Sequence, residues 1–366
     1  MDVSEIIAHY DINGENIVCD PYGAGHINST MLLTCSGKNA GKYVLQCIND
    51  KVFKVEELMH NITLVTEFIR SKILKRGGNP DKECLTVVLT KNGQSFVHVS
   101  DGYYRIYKFI NGISYQVVEK AEDFKRCAQA FGGFANLLAD FDATQLYEVI
   151  PKFHDTGKRF RDFMNSLGKN ESGRAKNVQK EIDFVLQRSG YCNGITSLLS
   201  SGEIPVRVTH NDTKLNNVLF DKKTNKCIAV IDFDTVMPGS LCYDFGDAIR
   251  FGCNTSTEDD TNLSRVNFDI NLFRAFAEGY LGSVGNGITQ AEKDSLAFSS
   301  VLMTYECGMR FLGDYIDGDK YFKTARESHN LDRARTQFKL IEDMEKVLPE
   351  MEKIVEDAAK RRSTRF

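Results

Sequence analysis

The spacing of hydrophobic residues changes partway along this chain of 366 residues. From Ile17 to Phe109 the chain consists mostly of short apolar runs bounded by polar turns, which predict β-strands. Beyond residue 112, apolar residues recur every three or four positions over 122–138 and 176–187, which predicts helices. A strand-rich beginning followed by helices indicates an α+β chain with two unequal lobes, 1–110 and 111–366.

The first lobe combines a hairpin, one long helix and three further strands. The runs NSTMLLTC and KYVLQCI flank a Gly-containing turn and predict the hairpin. Apolar residues at helical spacing over 55–73 predict the long helix, which RGGNPDK ends. The runs ECLTVVLT, FVHV and YYRIYKFI are separated by KNG and DG turns and predict three antiparallel strands. We therefore expect a small antiparallel sheet with one helix, followed by a larger and mainly helical lobe.

Composition narrows the classes of function. The net charge of −4 disfavours a general nucleic-acid binder. The N-terminal MDVSEIIAHYDING has neither the basic start nor the apolar core of a secretory signal, and no run approaches the length of a membrane helix. The ten cysteines are scattered without a CxxC pair or metal spacing, so we expect them to be reduced. These features favour a cytoplasmic protein and disfavour nucleic acid and membranes as its partners.

The stretch THNDTKLNNVLFD places polar residues between two strand-like runs, and IDFDT does so again after the next run. Asp212, Lys214 and Asn217 have the spacing D-x-K-x-x-N, and Asp232 follows. Phosphoryl transfer from ATP requires a carboxylate for the proton of the attacking hydroxyl, an amine to offset charge, and oxygen ligands for Mg²⁺. The alternative is a plain turn, as we expect for DKKTNK, but charged groups beside buried strands must be paired or solvated.

HNDTKLNN, IDFDT and YDFGD resemble the motifs of the aminoglycoside phosphotransferase and choline kinase group, which has the protein-kinase-like fold. More narrowly, the chain resembles the bacterial N-acetylhexosamine 1-kinases in a series of stretches that includes IPKFHDT and IDFDTVMPG. The stretches YDFGDAIRFG and ECGMRFLGDYIDGDKYF carry this narrower resemblance. The resemblance extends over residues 20–325. It implies ATP- and Mg²⁺-dependent phosphorylation of the anomeric (C1) hydroxyl of N-acetylglucosamine and N-acetylgalactosamine.

The resemblance also implies roles for the polar loop residues. Asp212 would be the catalytic base in contact with the substrate hydroxyl, and Lys214 would lie near the γ-phosphate. Asn217 and Asp232 would be the magnesium ligands, with Asp234 as a second candidate. Two further residues are expected to brace the loop by hydrogen bonds: His210 and Asp244.

The residues expected to contact the nucleotide depart from the usual kinase pattern. Where such kinases place a Lys on the third strand, this chain has Gln46 in KYVLQCIN, which brings no charge. The loop PYGAGHINST offers Gly23 and Gly25 to cover the phosphates, although a plain hairpin turn explains one G-x-G equally well. From this loop, His26 and Asn28 are candidates to reach phosphate or sugar.

For the sugar, the resemblance points to the helical stretch 291–315. Glu306 and Arg310 lie four residues apart, which by itself indicates a surface ion pair. The resemblance instead makes Arg310 a donor to the sugar, oriented by Glu306. It also implies that Phe251 and Tyr321 pack on the pyranose ring.

Two alternatives stay open at the level of sequence. The acceptor could be another hydroxyl, as in an aminoglycoside, choline, homoserine or a different sugar. A cationic acceptor would require a pocket rich in carboxylates. The chain could also be a nucleotide-binding pseudokinase, for which Gln46 is the support, although Asp212, Asn217 and Asp232 argue against it.

Overall fold

The computed structural model describes residues 2–12, 15–23, 27–37, 40–99 and 102–363. These residues form the strands β1 (Glu15–Pro21), β2 (Ser29–Ser36), β3 (Gly41–Ile48), β4 (Val87–Val88), β5 (Val97–Val99), β6 (Gly102–Lys108), β7 (Arg207–Thr209), β8 (Val218–Phe220), β9 (Cys227–Val230) and β10 (Met237–Gly239). They also form the helices α1 (Val3–Ala8), α2 (Val55–Lys75), α3 (Pro80–Glu83), α4 (Ala121–Leu137), α5 (Thr156–Lys169), α6 (Gln179–Gln187), α7 (Gly194–Ser201), α8 (Leu241–Gly252), α9 (Ile270–Ser283), α10 (Gln290–Asp317) and α11 (His329–Ser363).

The chain divides into two compact units. The first comprises Met1–Ser114, Asp140–Pro151 and Val218–Pro238. The second comprises Tyr115–Ala139, Lys152–Asn217 and Gly239–Phe366.

The first unit is built on an antiparallel sheet with the strand order β1-β2-β3-β6-β4, in which β5 also pairs with β6. The predicted hairpin is β2 and β3, which pair with Met31 opposite Leu45. The core on this sheet is fully buried at Leu33, Leu45 and Ile106. The predicted helix over 55–73 is α2, which buries an apolar stripe including Leu58, Ile62 and Ile73 as helical periodicity requires.

One predicted strand is much shorter than expected. Of ECLTVVLT only Val87 and Val88 form a strand, and these two pair with β6. Two residues further on, Thr90 pairs with Tyr10, which follows α1. The backbone hydrogen bonds of this run are therefore divided between two partners, and one continuous strand does not form.

Within the first unit, a buried asparagine in α2 contacts the two segments that come later in the chain, Asp140–Pro151 and Val218–Pro238. The Asn61 amide donates to the carbonyls of Tyr147 at 2.8 Å and Val236 at 2.9 Å, and its Oδ1 accepts from the Tyr147 N–H at 2.9 Å. Within the same unit, Ile113 and Phe220 form an isolated antiparallel bridge. These bonds attach residues 140–151 and 218–238 to earlier parts of the same unit.

The second unit is mainly helical. The predicted helices over 122–138 and 176–187 are α4 and α6, the latter preceded by a short 3-10 turn, Arg174–Asn177. Helix α8 approaches α10 closely at Gly246, where a Cβ atom would lie 2.4 Å from the carbonyl oxygen of Ser299. Only glycine permits this approach, which positions the polar residues of α8 described below. No helix in the described ranges is both long enough and apolar enough to cross a membrane.

Candidate active site

The loop after β7 brings three of the predicted residues together. Asp212 Oδ1 lies 2.6 Å from Lys214 Nζ. The Asn217 amide donates to both the backbone oxygen and Oδ2 of Asp212, each at 2.9 Å. The loop turns at Asn211, whose φ of 62° lies in the left-handed region that asparagine tolerates, and ends in a short 3-10 turn over Leu215–Asn217.

Asp212 and Lys214 are accessible to a ligand. Their side chains are 26% and 35% exposed, whereas the neighbouring residues Asn211, Thr213 and Leu215 are buried. Partial burial opposes the charge of Lys214, but the carboxylates of Asp212 and Asp247 outweigh that effect and raise its pKa above the ordinary value. Lys214 therefore carries a full positive charge beside Asp212.

Helix α8 holds this loop through two carboxylates one turn apart. Asp244 accepts hydrogen bonds from the backbone N–H groups of His210, at 2.9 Å, and Asn211, at 2.7 Å. Asp247 accepts from the N–H of Thr213 at 3.3 Å. Asp244 thus braces the loop, in the role that the motif resemblance implies.

The two carboxylates differ in charge behaviour. Burial raises the pKa of Asp244 to about 7, although its two backbone donors act in the opposite direction. Burial would also raise the pKa of Asp247, but Arg250 and Lys214 lower it below its ordinary value. Arg250 donates to Asp247 Oδ1 at 3.1 and 2.9 Å. Asp247 is thus an ionised link between the loop and Arg250.

The ring of His210 is part of the core. It is fully buried, with its centroid 5.3 Å from that of Phe131 and 5.7 Å from that of Phe134 on α4. This packing agrees with a structural histidine that anchors the beginning of the loop.

The first unit contains the two aspartates of IDFDT in different settings. Asp232 has a φ of 64° and directly precedes a short 3-10 turn, Phe233–Thr235. Asp234 is buried and forms an ion pair with Arg105 at 2.5 Å, while its other oxygen accepts from the Asn28 amide. Both oxygens of Asp234 therefore have protein partners, which suits a metal ligand poorly.

Arg105 is a site residue that the sequence analysis missed. It lies on β6 directly opposite Gln46 on β3. Its guanidinium donates to Gln46 Oε1 at 3.0 and 2.8 Å, and the Gln46 amide donates to Thr30 at 3.0 Å. A positive charge thus lies one strand away from the position where kinases place their Lys. The sequence contains one signal for this role, since the arginine occupies an inward position of the strand-like run YYRIYKF. A buried charge without a partner is costly, so an inward arginine predicts a polar or charged partner close to it.

The loop predicted to cover the phosphates is described only in part. Gly23 has a φ of 77°, and a Cβ atom at this position would have no neighbour within 4 Å, so backbone conformation rather than space favours glycine there. Gly25 and His26 lie outside the described residues. Asn28 is buried, and its Oδ1 accepts from the N–H of Asn49 at 2.9 Å. With Asp234 as the partner of its amide nitrogen, both polar atoms of the Asn28 side chain are engaged within the protein.

Glu306 does not form the expected contact with Arg310. Its carboxylate is buried and accepts from Thr156 at 2.7 Å and contacts His154 Nδ1 at 2.9 Å. Burial would raise the pKa of Glu306, but His154, Thr156 and Arg310 lower it below the ordinary value. The partner of Glu306 is IPKFHDT, a motif to which the sequence analysis assigned no role.

Arg310 instead lies among aromatic rings. Its guanidinium carbon is 5.7 Å from the ring centre of Phe153, 5.8 Å from Tyr321 and 5.4 Å from Phe322. No ion pair of the described residues joins Arg310 to a carboxylate within 4 Å. Asp314 accepts from the N–H groups of both Tyr321 and Phe322 and so fixes these rings. Arg310 and Tyr321 are therefore brought together, with Tyr321 73% exposed.

A cavity of about 1000 Å³ in the second unit includes Phe251 in its lining, but not Glu306, Arg310 or Tyr321. Three arginines and three carboxylates also line it, and they form ion pairs at 2.9 Å or less: Arg250–Glu258, Arg326–Asp259 and Arg265–Asp260. The charges of these lining residues balance. A wall of this kind suits a neutral polar ligand better than a cation.

The comparison with protein families gives one clear match. The sequence model of the phosphotransferase enzyme family matches residues 18–287, which is most of the chain. This range includes the Asp212 loop, the IDFDT motif and the whole of α8.

Solved structures of phosphotransferases resemble the chain over nearly its whole length. An aminoglycoside phosphotransferase from Alicyclobacillus acidocaldarius has a TM-score of 0.63 at 14% identity, covering 98% of this chain and 97% of the other. A spectinomycin phosphotransferase in complex with ADP and spectinomycin has a TM-score of 0.57 at 14% identity, covering 95% and 97%. The amicoumacin kinase hAmiN, in complex with AMP-PNP and Ca²⁺, has a TM-score of 0.58 at 14% identity, covering 93% of each chain.

At this level of identity the structural likeness establishes the fold alone. The predicted α+β, protein-kinase-like fold is confirmed, with an antiparallel sheet in the N-terminal lobe and a mainly helical C-terminal lobe.

Proposed function

Because the chain belongs to the phosphotransferase enzyme family, we propose that it is an ATP- and Mg²⁺-dependent kinase of the C1 hydroxyl of N-acetylhexosamines. The observation that carries the proposal is the loop in which Asp212, Lys214 and Asn217 meet within hydrogen-bond distance. Phosphoryl transfer requires these groups: a proton acceptor, a positive charge and an oxygen ligand for the metal.

Asp212 receives the proton of the attacking hydroxyl. As the C1 oxygen forms a bond to the γ-phosphorus, the bond from that phosphorus to the β–γ bridging oxygen breaks and ADP leaves. Lys214 offsets negative charge next to the reacting oxygen. The C1–O bond is not broken, so the sugar 1-phosphate keeps the anomeric configuration of the sugar that binds.

Asn217 and Asp232 are the proposed magnesium ligands. The Asn217 Nδ2 group donates to Asp212, which leaves Oδ1 as the amide atom that can ligate a cation. An amide oxygen and a carboxylate suit Mg²⁺, which takes few protein ligands and completes its shell with water and phosphates. When bound, Mg²⁺ neutralises phosphate charge.

Nucleotide contacts are proposed for the first unit. Gly23 and Gly25 belong to the loop expected to cover the phosphates, and Gln46 occupies the strand position that faces them in related kinases. Gln46 is held by Arg105 on one side and Thr30 on the other. The negative charge of ATP is then met by Lys214 and Mg²⁺ rather than by a strand lysine.

A neutral acceptor is supported by two features of the second unit. Arg310 presents a guanidinium to rings of Phe153 and Tyr321 and can donate to sugar hydroxyls or to an acetamido oxygen. The cavity at Phe251 has paired charges and no excess of carboxylates for a cationic amine. His26 remains a proposed sugar contact on the basis of the motif alone, and Glu306 positions IPKFHDT beside Arg310.

Release of ADP tests the proposal directly. The protein is incubated with ATP, Mg²⁺ and one acceptor at a time: N-acetylglucosamine, N-acetylgalactosamine, glucose, choline or an aminoglycoside. We expect turnover with the N-acetylhexosamines and a phosphate on C1 by NMR. Turnover with an amine alone contradicts the proposed substrate, and nucleotide binding without turnover on any acceptor indicates a pseudokinase.

A further inference from the structure

Arg105 joins two elements of the proposed nucleotide site. Its Nη2 group donates to Gln46 Oε1 at 2.8 Å and to Asp234 Oδ1 at 2.5 Å, and its Nε group donates to the same Gln46 oxygen at 3.0 Å. Asp234 lies two residues after Asp232, the proposed magnesium ligand. The Gln46 amide is therefore held beside the turn at which the phosphates of ATP are expected.

The same network reaches the loop expected to cover the phosphates. The other oxygen of Asp234 accepts from the amide of Asn28, near the end of that loop, and Asn28 Oδ1 accepts from the N–H of Asn49, directly after β3. All of these residues belong to the first unit. Arg105 thus lies at the centre of contacts that join β3, this loop and the IDFDT turn, three elements that the nucleotide is expected to touch.

The contact with Arg105 determines which end of the Gln46 amide is available to a ligand. A guanidinium has only donors, so the amide oxygen must point towards it. The amide nitrogen is then turned away from Arg105. It donates one hydrogen to Thr30, and its second hydrogen is used by no hydrogen bond among the residues that the structure describes. Gln46 is partly exposed, and a donor suits phosphate oxygens, whereas an amide oxygen in the same place would repel them.

Arg105 also explains why position 46 is not a lysine. The guanidinium is 1% exposed and lies within 3.0 Å of the side chain at position 46. An ammonium group at that position would bring two positive charges into contact in a largely dry part of the protein, where like charges repel strongly. A neutral amide avoids this repulsion and still offers a donor to phosphate.

We propose that Arg105 is a positioning residue for nucleotide binding, because its guanidinium turns the nitrogen of the Gln46 amide towards the phosphates of ATP. The inference rests on the proposed function, which supplies ATP as the ligand. Since Arg105 is buried, it acts through Gln46 and does not itself touch the nucleotide. It takes no part in proton or phosphoryl transfer.

The test measures ATP binding by calorimetry in EDTA, so that the phosphate contact is observed without metal or turnover. Gln46→Met removes the amide at similar length. Arg105→Lys retains a positive charge for Asp234 but offers one nitrogen in place of the paired donors that orient the amide. The double variant completes a thermodynamic cycle. The control is Arg76→Lys, because Arg76 pairs with Glu83 at the surface of the same unit, and thermal unfolding checks that each variant is folded.

We expect Gln46→Met and Arg105→Lys each to raise the Kd for ATP by about tenfold, because each removes a donor offered to a charged phosphate. The double variant should bind ATP as weakly as Gln46→Met alone, since Arg105 acts through Gln46. Binding equal to that of the wild type in either single variant overturns the inference, and so does an additive loss in the double variant.

These binding results are independent of the acceptor. Absence of turnover with every N-acetylhexosamine refutes the proposed substrate and leaves the effect of Arg105 on the Kd for ATP as expected. A wild-type protein that binds no ATP refutes the proposed kinase activity and this inference together.

Discussion

The ammonium nitrogen of Lys214 lies 2.6 Å from Oδ1 of Asp212, and both side chains are partly exposed on one loop. This ion pair places a proton acceptor and a positive charge beside each other. A pair that served only stability would contribute little at this exposure. Its position on a loop clamped by two buried carboxylates of α8 favours a catalytic role.

The first prediction concerns Asp212. Asp212→Asn keeps the shape of the side chain but removes the proton acceptor, so turnover should fall by about 10²–10⁴. Binding of ATP, measured by calorimetry, should be retained. The exposed Asp294, changed to Asn, is the matched control. Near-normal turnover of Asp212→Asn would remove Asp212 from the role of base.

Dependence on magnesium tests the proposed ligands. Asp232→Ala should abolish turnover at ordinary Mg²⁺ concentration, because a carboxylate is the stronger ligand. Asn217→Ala should shift the Mg²⁺ concentration needed for half-maximal rate upwards. The measurement is a metal titration of both variants at saturating ATP. If both curves coincide with that of the wild type, the metal is held by other residues.

Arg310 should bind the sugar and not the nucleotide. A buried charge-assisted hydrogen bond contributes about 1.5–3 kcal/mol, so Arg310→Ala should raise the KM for the sugar by about tenfold or more. Arg174 also lies over an aromatic ring but has a carboxylate partner, Asp319, and Arg174→Ala is therefore the control. A KM for the sugar that is no more affected by Arg310→Ala than by Arg174→Ala would contradict the prediction.

The ion pair of Arg105 with Asp234 should stabilise the first unit. Arg105→Met leaves a buried carboxylate without its charge partner, and the free energy of unfolding should fall by about 3–5 kcal/mol. Adding Asp234→Asn should recover part of that loss, since the uncompensated charge is removed. Urea unfolding of both single variants and the double variant measures the coupling. Additive losses would show that the two residues stabilise the protein independently.

The raised pKa of Asp244 predicts a pH dependence of stability. Its pKa in the folded protein is about 7, above the ordinary value of 3.8, so the folded state binds the proton more tightly than the unfolded state. Stability due to this group is therefore present below pH 4 and is lost as the pH rises towards 7. Relative to Asp244→Asn, the wild type should lose free energy of unfolding between about pH 4 and 7, at about 1.4 kcal/mol per unit of pKa shift. A difference that is constant with pH would show that Asp244 is ionised throughout.

The sequence by itself determined the features that depend on neighbouring residues. The helix α2 and the hairpin of β2 and β3 follow from periodicity and turn residues, which act over a few positions. The proximity of Asp212, Lys214 and Asn217 is also determined by the sequence, because residues within a span of six on one short loop lie close together in space.

Tertiary structure decided the partners that lie far apart in the chain. Arg105 faces Gln46 only because β6 pairs with β3 in one register, and a shift by one residue would turn the arginine to the other face. Glu306 contacts His154, 152 positions away, and not the nearby Arg310. Spacing along a helix shows which residues share a face, but the element packed against that face determines which of them becomes a partner.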